Sequence, residues 1–183
     1  MSPSIISFPL KHGKDIDGLF SNSKRILNSM TLDNEQVEKY LLGLSTSLLH
    51  ASNSREIVMT RGWANDAPNE AGVYVLKEGE NIIYVGETGN LRGRMRDLLD
   101  SRNHVVRRTI GNALFSNHSS FRKGTPSDKF PSVIETLIND HICGQLKVSY
   151  MPVSLGRKEL EELIQSTIPQ EIRLNKRGKR IKR

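Results

Sequence analysis

Hydrophobic and polar positions alternate in two short runs near the middle of the chain. Residues 72–77 (GVYVLK) and 82–87 (IIYVGE) are rich in β-branched and aromatic residues, and residues 78–81 connect them. Two such runs, joined by a short connection that contains glycine, predict a β-hairpin. A third run, residues 146–153 (LKVSYMPV), alternates well enough to join the hairpin as a strand.

Apolar residues spaced three or four positions apart predict helices before, between and after these strands. The clearest stripe covers residues 33–51, where Asp33 and Gln36 have the spacing of a capping box. Further helices are predicted at residues 14–30, 90–100, 104–115, 131–142 and 157–168. Residues 61–71 and 116–129 are rich in glycine, proline and polar residues and predict loops. The pattern therefore predicts an α/β fold: a small three-stranded mixed or antiparallel sheet flanked by helices, with an N-terminal helical extension.

The length of 183 residues suits one domain with an extension, or two small domains. We place the helical extension at residues 1–60, the sheet-containing domain at 68–175 and a basic tail at 176–183. No apolar run approaches the roughly 20 residues of a membrane span, and no secretory signal is evident. The single cysteine, Cys143, excludes an intramolecular disulfide and a cysteine-based zinc site, and it favours a cytoplasmic location.

The net charge of +7 is concentrated at the C-terminal end of the chain. Residues 173–183 hold seven Lys and Arg residues and no acidic residue, so the other twenty basic and twenty acidic residues balance. A dense basic tail is suited to contact the phosphate backbone of a nucleic acid. The alternative is a solvated end that only keeps the protein soluble.

The predicted hairpin carries two triplets, GVY at residues 72–74 and YVG at residues 84–86, which place tyrosines on neighbouring strands. A threonine and an asparagine follow, and Arg94 stands ten residues after the second tyrosine. Hydroxyl groups and a guanidinium that converge on one spot could hold a phosphate. This ordered set resembles the core motif of the GIY-YIG nucleases, with valine in place of both isoleucines. The resemblance is close over residues 68–98 and extends loosely to about residue 175.

The resemblance implies a Mg²⁺-dependent endonuclease that hydrolyses phosphodiester bonds in DNA. In this family the two tyrosines, here Tyr74 and Tyr84, assist the attacking water. The arginine, here Arg94, stabilises the negative charge that develops on the phosphate. A free phenol has a pKa near 10, so a tyrosine needs a neighbouring cation or a metal-bound water to act as a base at neutral pH.

The family's metal ligand is a glutamate on a later helix, and the predicted helix at residues 157–168 contains Glu159, Glu161 and Glu162. If the apolar residues set the buried face of this helix, Glu162 points into solvent, and Glu161 and Glu159 lie at opposite edges of that face. Leucine before Glu161 and an aliphatic residue three positions after it also resemble the family pattern, which favours Glu161. Glu135 is a fourth candidate, and the alternative is that all four are solvated helix-face charges.

Phosphate contacts are expected from polar and basic residues after the motif and from the tail. The predicted nucleic-acid-binding residues are Thr88, Asn90, Arg92, Arg96, Arg107, Arg108, Asn175, Lys176, Arg177, Lys179 and Arg180. One departure from the family lies a helical turn after Arg94, where many members have histidine and this chain has Leu98. His104 lies further along and could substitute, but a histidine in such a mixed segment is more often structural.

The sequence therefore favours a cytoplasmic endonuclease whose most suitable partner is double-stranded DNA and whose cofactor is Mg²⁺. Restriction, mobile-element and structure-specific repair enzymes all fit this description, and a homodimer is an open alternative to a monomer. Because the family histidine is absent, a module that keeps the GIY-YIG fold and binds nucleic acid without efficient cleavage is the alternative function. In a third interpretation the helical extension docks a partner and the chain is a scaffold.

Overall fold

A four-stranded antiparallel sheet with helices on both faces organises residues 33–174, the part of the chain that this computed structural model describes. In chain order the elements are α1 (Asn34–Leu49), β1 (Arg55–Glu56), α2 (Arg61–Asn65), β2 (Gly72–Glu78), β3 (Asn81–Thr88), α3 (Leu91–Asp97), α4 (Val105–Leu114), α5 (Ser132–Gln145), β4 (Leu146–Pro152) and α6 (Arg157–Thr167). The predicted α/β fold with an antiparallel sheet between helices is confirmed. The helix predicted at residues 14–30 and the basic tail lie outside the described residues.

The strands lie in the order β1-β4-β2-β3, and each neighbouring pair is antiparallel. The sequence predicted three strands, and this number was wrong. The additional strand, β1, contributes only two residues, of which Arg55 pairs with Val148 on β4. Two residues are too few to show an alternating pattern, so β1 leaves no signal in the sequence.

The β2–β3 hairpin closes more tightly than predicted. β2 ends at Glu78 and β3 begins at Asn81, and these two residues pair, so two residues connect the strands instead of four. Gly79, the first of the two, has a φ angle of 57°. Glycine reaches this left-handed conformation without a steric penalty, which allows the tight turn.

Alternate side chains of the strands belong to two apolar clusters, one on each face of the sheet. On the first face Tyr74, Leu76 and Tyr84 pack with Met95 of α3 and Ile138 of α5. On the second face the sheet packs against α6 and the end of α1. The buried members of this second cluster include Leu48, Val73, Val75, Val85, Leu160 and Ile164.

The chain divides into two compact units, Met1–Lys39 and Tyr40–Arg183. The unit that contains the sheet therefore begins within α1, whereas the predicted helical extension continued to residue 60. The physical reason lies at the end of α1, where Leu48 is fully buried in the cluster on the second face of the sheet. This part of the helix belongs to the core of the sheet-containing unit.

A short helix, α2, replaces part of the loop predicted at residues 61–71. Thr60 caps it, because Thr60 Oγ1 accepts a hydrogen bond from the Trp63 amide at 3.2 Å. Five residues are too few to show a helical period, so the sequence pattern did not reveal this element. Neither α2 nor any other helix within residues 33–174 is long and apolar enough to cross a membrane.

Candidate active site

The two motif tyrosines lie side by side on the first face of the sheet. Tyr74 stands opposite Gly86 and Tyr84 stands opposite Leu76, so the tyrosine rings are diagonal neighbours with centroids 5.7 Å apart. Tyr74 is fully buried, whereas Tyr84 is 8% exposed. Tyr84 therefore carries the phenol that lies nearer to solvent.

Motif glycines make room for the parts of this site. A Cβ atom added at Gly86 would lie 2.8 Å from Tyr74 Oη, well inside van der Waals contact, so glycine leaves the space that this ring occupies. A Cβ atom at Gly72 would approach a methyl group of Leu91 to 2.7 Å. Leu91 is the first residue of α3, so Gly72 allows the helix that carries Arg94 to pack directly on the sheet.

His104 joins the tyrosine pair from the start of α4. Its Nε2 lies 3.0 Å from Tyr74 Oη, and both residues are fully buried. Its Nδ1 accepts a hydrogen bond from the Val106 amide at 3.3 Å, so the proton of the neutral ring must be on Nε2. The Nε2–H group therefore donates to the Tyr74 hydroxyl oxygen. The His104 ring also lies 5.8 Å from the Tyr84 ring between centroids.

The environment keeps His104 and Tyr74 uncharged at neutral pH. Burial, together with the charges of Arg94 and two arginines of α4, lowers the pKa of His104 to about 3. Burial also raises the pKa of Tyr74 well above that of a free phenol; Tyr84 adds to this rise, and Arg94 opposes it. The cluster is thus a set of neutral hydrogen-bonding groups within electrostatic reach of an arginine.

Arg94 lies at the border of the core, as its helical position predicted. Its side chain is 30% exposed, and its Nη1 is 3.5 Å from Asp97 Oδ2. Its Nε is buried, and among residues 33–174 this atom has no hydrogen-bond partner. A buried N–H group without a partner costs free energy, and an anion from outside the protein would remove that cost.

The four glutamates considered as metal ligands have different environments. Glu161 is 2% exposed, whereas Glu159 and Glu162 are exposed on α6. Glu135 accepts hydrogen bonds from a serine, an arginine and a backbone amide, so its carboxylate belongs to a structural network. The charge of Glu161 contributes to the raised pKa of Tyr74, which places this carboxylate within electrostatic reach of the tyrosines.

The surroundings of Glu161 fit a hydrated cation better than a metal cage built by the protein alone. Within the described residues, no group of three or more His, Cys, Asp and Glu side chains could hold a metal ion. Mg²⁺ commonly keeps several waters and is held by one or two carboxylates together with substrate phosphates. A single buried carboxylate that acts electrostatically on the same tyrosine as Arg94 is compatible with that type of site.

Two of the arginines predicted to contact nucleic acid are used inside the protein. Arg107 is 1% exposed and forms a 2.5 Å ion pair with Glu135, so its predicted contact with nucleic acid was wrong. Arg108 donates hydrogen bonds of 2.7 Å to the carbonyl groups of Ser101 and Arg102. Both arginines therefore hold the segment that leads into α4.

The other predicted contacts remain predictions, and their polar groups differ in how far they are already engaged. Thr88 and Asn90 use side-chain oxygens to accept backbone amides at the start of α3. Arg92 donates to a backbone carbonyl, and the exposed Arg96 donates to Asn65 Oδ1. The predicted contacts Asn175, Lys176, Arg177, Lys179 and Arg180 lie outside the described residues.

A family model described as the GIY-YIG catalytic domain matches residues 63–180. This chain belongs to the GIY-YIG family. The predicted resemblance is thereby confirmed, and the matched range contains Tyr74, Tyr84, Arg94 and Glu161. The cluster described above is therefore part of a GIY-YIG catalytic domain, which supports an endonuclease.

A solved structure shares similarity with this GIY-YIG domain at a greater distance. It is the crystal structure of the GIY-YIG N-terminal endonuclease domain of UvrC from Thermotoga maritima, a point mutant bound to its catalytic divalent cation. The two sequences are 19% identical, the match covers 64% of this chain and 94% of that chain, and the TM-score is 0.34. A comparison with curated proteins found no match.

His104 does not occupy the sequence position at which many members of the GIY-YIG family have a histidine. Leu98, one helical turn after Arg94, is fully buried in the apolar cluster on the first face of the sheet. His104 instead reaches Tyr74, which lies 30 positions earlier in the chain. No local spacing rule links two residues so far apart, which is why the sequence alone named His104 only as a substitute.

Proposed function

We propose that this GIY-YIG domain is a Mg²⁺-dependent endonuclease that hydrolyses phosphodiester bonds in duplex DNA. The unpartnered Nε of Arg94, within electrostatic reach of the buried tyrosine pair, carries this proposal. A phosphate group supplies the anionic oxygens that such a guanidinium binds in a bidentate manner. Restriction and mobile-element enzymes are the biological types that this activity fits.

Arg94 holds the scissile phosphate and stabilises it during the reaction. Its Nε and one terminal nitrogen can donate in parallel to a single anion, and its 3.5 Å contact with Asp97 is weak enough to be exchanged. When water attacks, the phosphorus becomes five-coordinate and its oxygens gain negative charge. A guanidinium that is already in place stabilises this charge without reorganisation.

Tyr84 and Tyr74 orient the attacking water. Tyr84 is the more exposed of the two, and Tyr74 supports it from within, with the two ring centroids 5.7 Å apart. The water oxygen bonds to phosphorus, the bond from phosphorus to the leaving sugar oxygen breaks, and the proton of the water passes to solvent. The leaving sugar oxygen takes a proton from solvent.

Glu161 would hold the Mg²⁺ ion. The ion would supply positive charge that neutralises the phosphate and helps the leaving oxygen to depart. The Glu161 carboxylate is buried, and its charge contributes to the raised pKa of Tyr74. We place the enzyme in the cytoplasm, and a homodimer would bring two such sites to the two strands of one duplex.

Cleavage of supercoiled plasmid DNA tests the proposed function directly. Purified protein is incubated with plasmid in Mg²⁺ or in EDTA, and nicked and linear products are separated on agarose. We expect cleavage with Mg²⁺, none with EDTA, and cleavage slowed by about 10²- to 10³-fold in the Arg94→Ala variant with Mg²⁺. A folded protein that binds DNA but cleaves no duplex, single-stranded or branched substrate would instead support the binding-module alternative.

A further inference from the structure

We propose that His104 is a positioning residue that fixes the orientation of the Tyr74 hydroxyl group beside Tyr84. Through this contact His104 would set how Tyr84 presents its hydroxyl group to the attacking water. This role rests on the proposed endonuclease function, because it concerns the same tyrosine pair.

The orientation of this hydroxyl group follows from the number of protons available. Nδ1 of His104 is occupied as an acceptor by the Val106 amide, so only its Nε2–H group faces Tyr74. The Tyr74 oxygen accepts that hydrogen, so its own single proton must point away from His104. The neighbouring Tyr84 ring lies 5.7 Å from the Tyr74 ring between centroids, so the orientation of the Tyr74 hydroxyl group is part of the surroundings of Tyr84.

Without the donor on His104, this orientation would be lost. The Tyr74 hydroxyl group could then turn its proton in more than one direction. Tyr84, and a water held by Tyr84, would meet different arrangements of the same neighbouring oxygen in different molecules. Pre-organised hydrogen bonds support catalysis because they need no rearrangement as the transition state forms.

The segment that carries His104 is held by buried polar contacts. Arg107 donates to the Leu98 carbonyl at 3.3 Å and pairs with Glu135, and Glu135 also accepts the Ser101 hydroxyl. These contacts tie both ends of the connection between α3 and α4 to α5. A buried ion pair with additional hydrogen bonds is costly to break, so the imidazole has little freedom to move away from Tyr74.

Two substitutions separate this role from that of a helix cap. In His104→Asn the side-chain oxygen can still accept the Val106 amide, but the side chain is too short to reach Tyr74. In His104→Gln the amide NH₂ can reach the place of Nε2 and donate to Tyr74, whereas the cap on α4 is lost. We expect His104→Asn to lower the single-turnover cleavage rate about tenfold, the effect of one lost hydrogen bond.

His104→Gln should then cleave within about threefold of the unchanged protein, since a donor to Tyr74 remains. His118→Asn is the matched control, because His118 Nδ1 also accepts an amide two residues later, at 3.1 Å, in a loop away from the tyrosines. Faster cleavage by the Asn variant than by the Gln variant would overturn the inference and show that His104 serves as a cap. Equal and unchanged rates for both would also overturn it.

Imidazole ¹⁵N NMR gives a readout that does not depend on cleavage. We expect His104 at neutral pH to be protonated on Nε2 alone, and its Nε2 resonance to move in Tyr74→Phe while that of His118 does not. Protonation on Nδ1 would overturn the inference. An inactive protein with the expected His104 signal would instead contradict the proposed function, so the two failures are distinguishable.

Discussion

Arg94 stands at the position of the arginine in the GIY-YIG motif, and its surroundings also give a physical reason for it to bind an anion. Its Nε is buried without a partner among residues 33–174, while its side chain as a whole is 30% exposed. An unpaired buried N–H group costs free energy, and this cost would be removed when a phosphate binds. Lysine would supply a point charge but not the parallel pair of donors, so it should not replace Arg94.

Replacing Arg94 by alanine should therefore slow cleavage by about 10²- to 10³-fold, the effect of losing one transition-state donor. The fold should remain, because the side chain borders the core without filling it. Arg102→Ala is the matched control, since this arginine is exposed and its side chain forms an ion pair with the nearby Asp100. Cleavage by a well-folded Arg94→Ala protein at the normal rate would contradict the mechanism.

Gly86 supports the site through the space that it leaves empty. Gly86→Ala places a methyl group against the Tyr74 ring, and forcing extra atoms into a packed core costs about 1–3 kcal/mol. We expect a lower free energy of unfolding in urea and slower cleavage, because Tyr74 must move. Gly144→Ala is the control, since a Cβ atom there meets no atom within 4 Å. Equal stability of both variants would show that the hairpin adapts to the added methyl group.

Residues of the site differ in how far the sequence could predict them. Tyr74, Tyr84 and Arg94 follow one another in a single hairpin and helix, so a spacing rule captures them together. His104 and Arg107 could not be assigned in this way. Their roles depend on partners 30 and 28 positions away, and only the packing of α4 against the sheet and α5 brings these partners into contact.

At the level of elements, α6 shows what a helical pattern can establish. Its apolar residues predicted that Glu162 would face solvent and that Glu161 would lie at the edge of the buried face. In the structure Glu162 is exposed and Glu161 is buried. The pattern could give these directions, but it could not show that Glu161 lies within electrostatic reach of Tyr74, because that depends on where α6 packs.

The two glutamates therefore form a matched pair for testing the metal site. Glu161→Gln keeps the shape of the side chain and removes its charge, so Mg²⁺-dependent cleavage should be lost while DNA binding in a gel shift persists. Glu162→Gln, one position along the same helix, should be nearly silent. Loss of cleavage in Glu162→Gln with activity retained in Glu161→Gln would contradict our choice of ligand.

Longer elements were predictable and the shortest were not. Strands β2, β3 and β4 and helices α1 and α3 to α6 each contain enough residues to show a period of two or of 3.6. The two-residue β1 and five-residue α2 do not. Their conformations depend on tertiary contacts instead, such as the hydrogen bond from Trp63 Nε1 to the Glu56 carbonyl, which joins them.

At the scale of the whole molecule, the candidate site depends on both faces of one sheet. Tyr74 and Tyr84 belong to the first apolar cluster, whereas Leu160 and Ile164, on either side of Glu161 in α6, belong to the second. The proposed phosphate-binding and metal-binding groups therefore come from different layers of the domain. Their distance depends on the integrity of the sheet, so a site of this kind requires the complete sheet-containing unit.

The distribution of charge over the whole chain gives the last prediction. All of the excess positive charge lies in residues 173–183, and deleting residues 176–183 removes six of the seven basic residues there. The deletion retains Leu174, whose amide donates to the Ile83 carbonyl at 2.8 Å, so the described contacts of the domain should persist. Each phosphate contact that is lost should reduce the slope of log K against log salt by about 0.9.

Binding of one duplex by the full-length and shortened proteins, measured at several salt concentrations, tests this expectation. If the tail makes three contacts, the slope should fall by about 2 to 3 and the affinity at low salt should drop sharply. Cleavage by an already bound complex should be retained, because the tyrosine pair, Arg94 and Glu161 are unchanged. Identical slopes would show that the tail only keeps the protein soluble. The duplex would then have to be held by exposed arginines of the domain, such as Arg96 on α3.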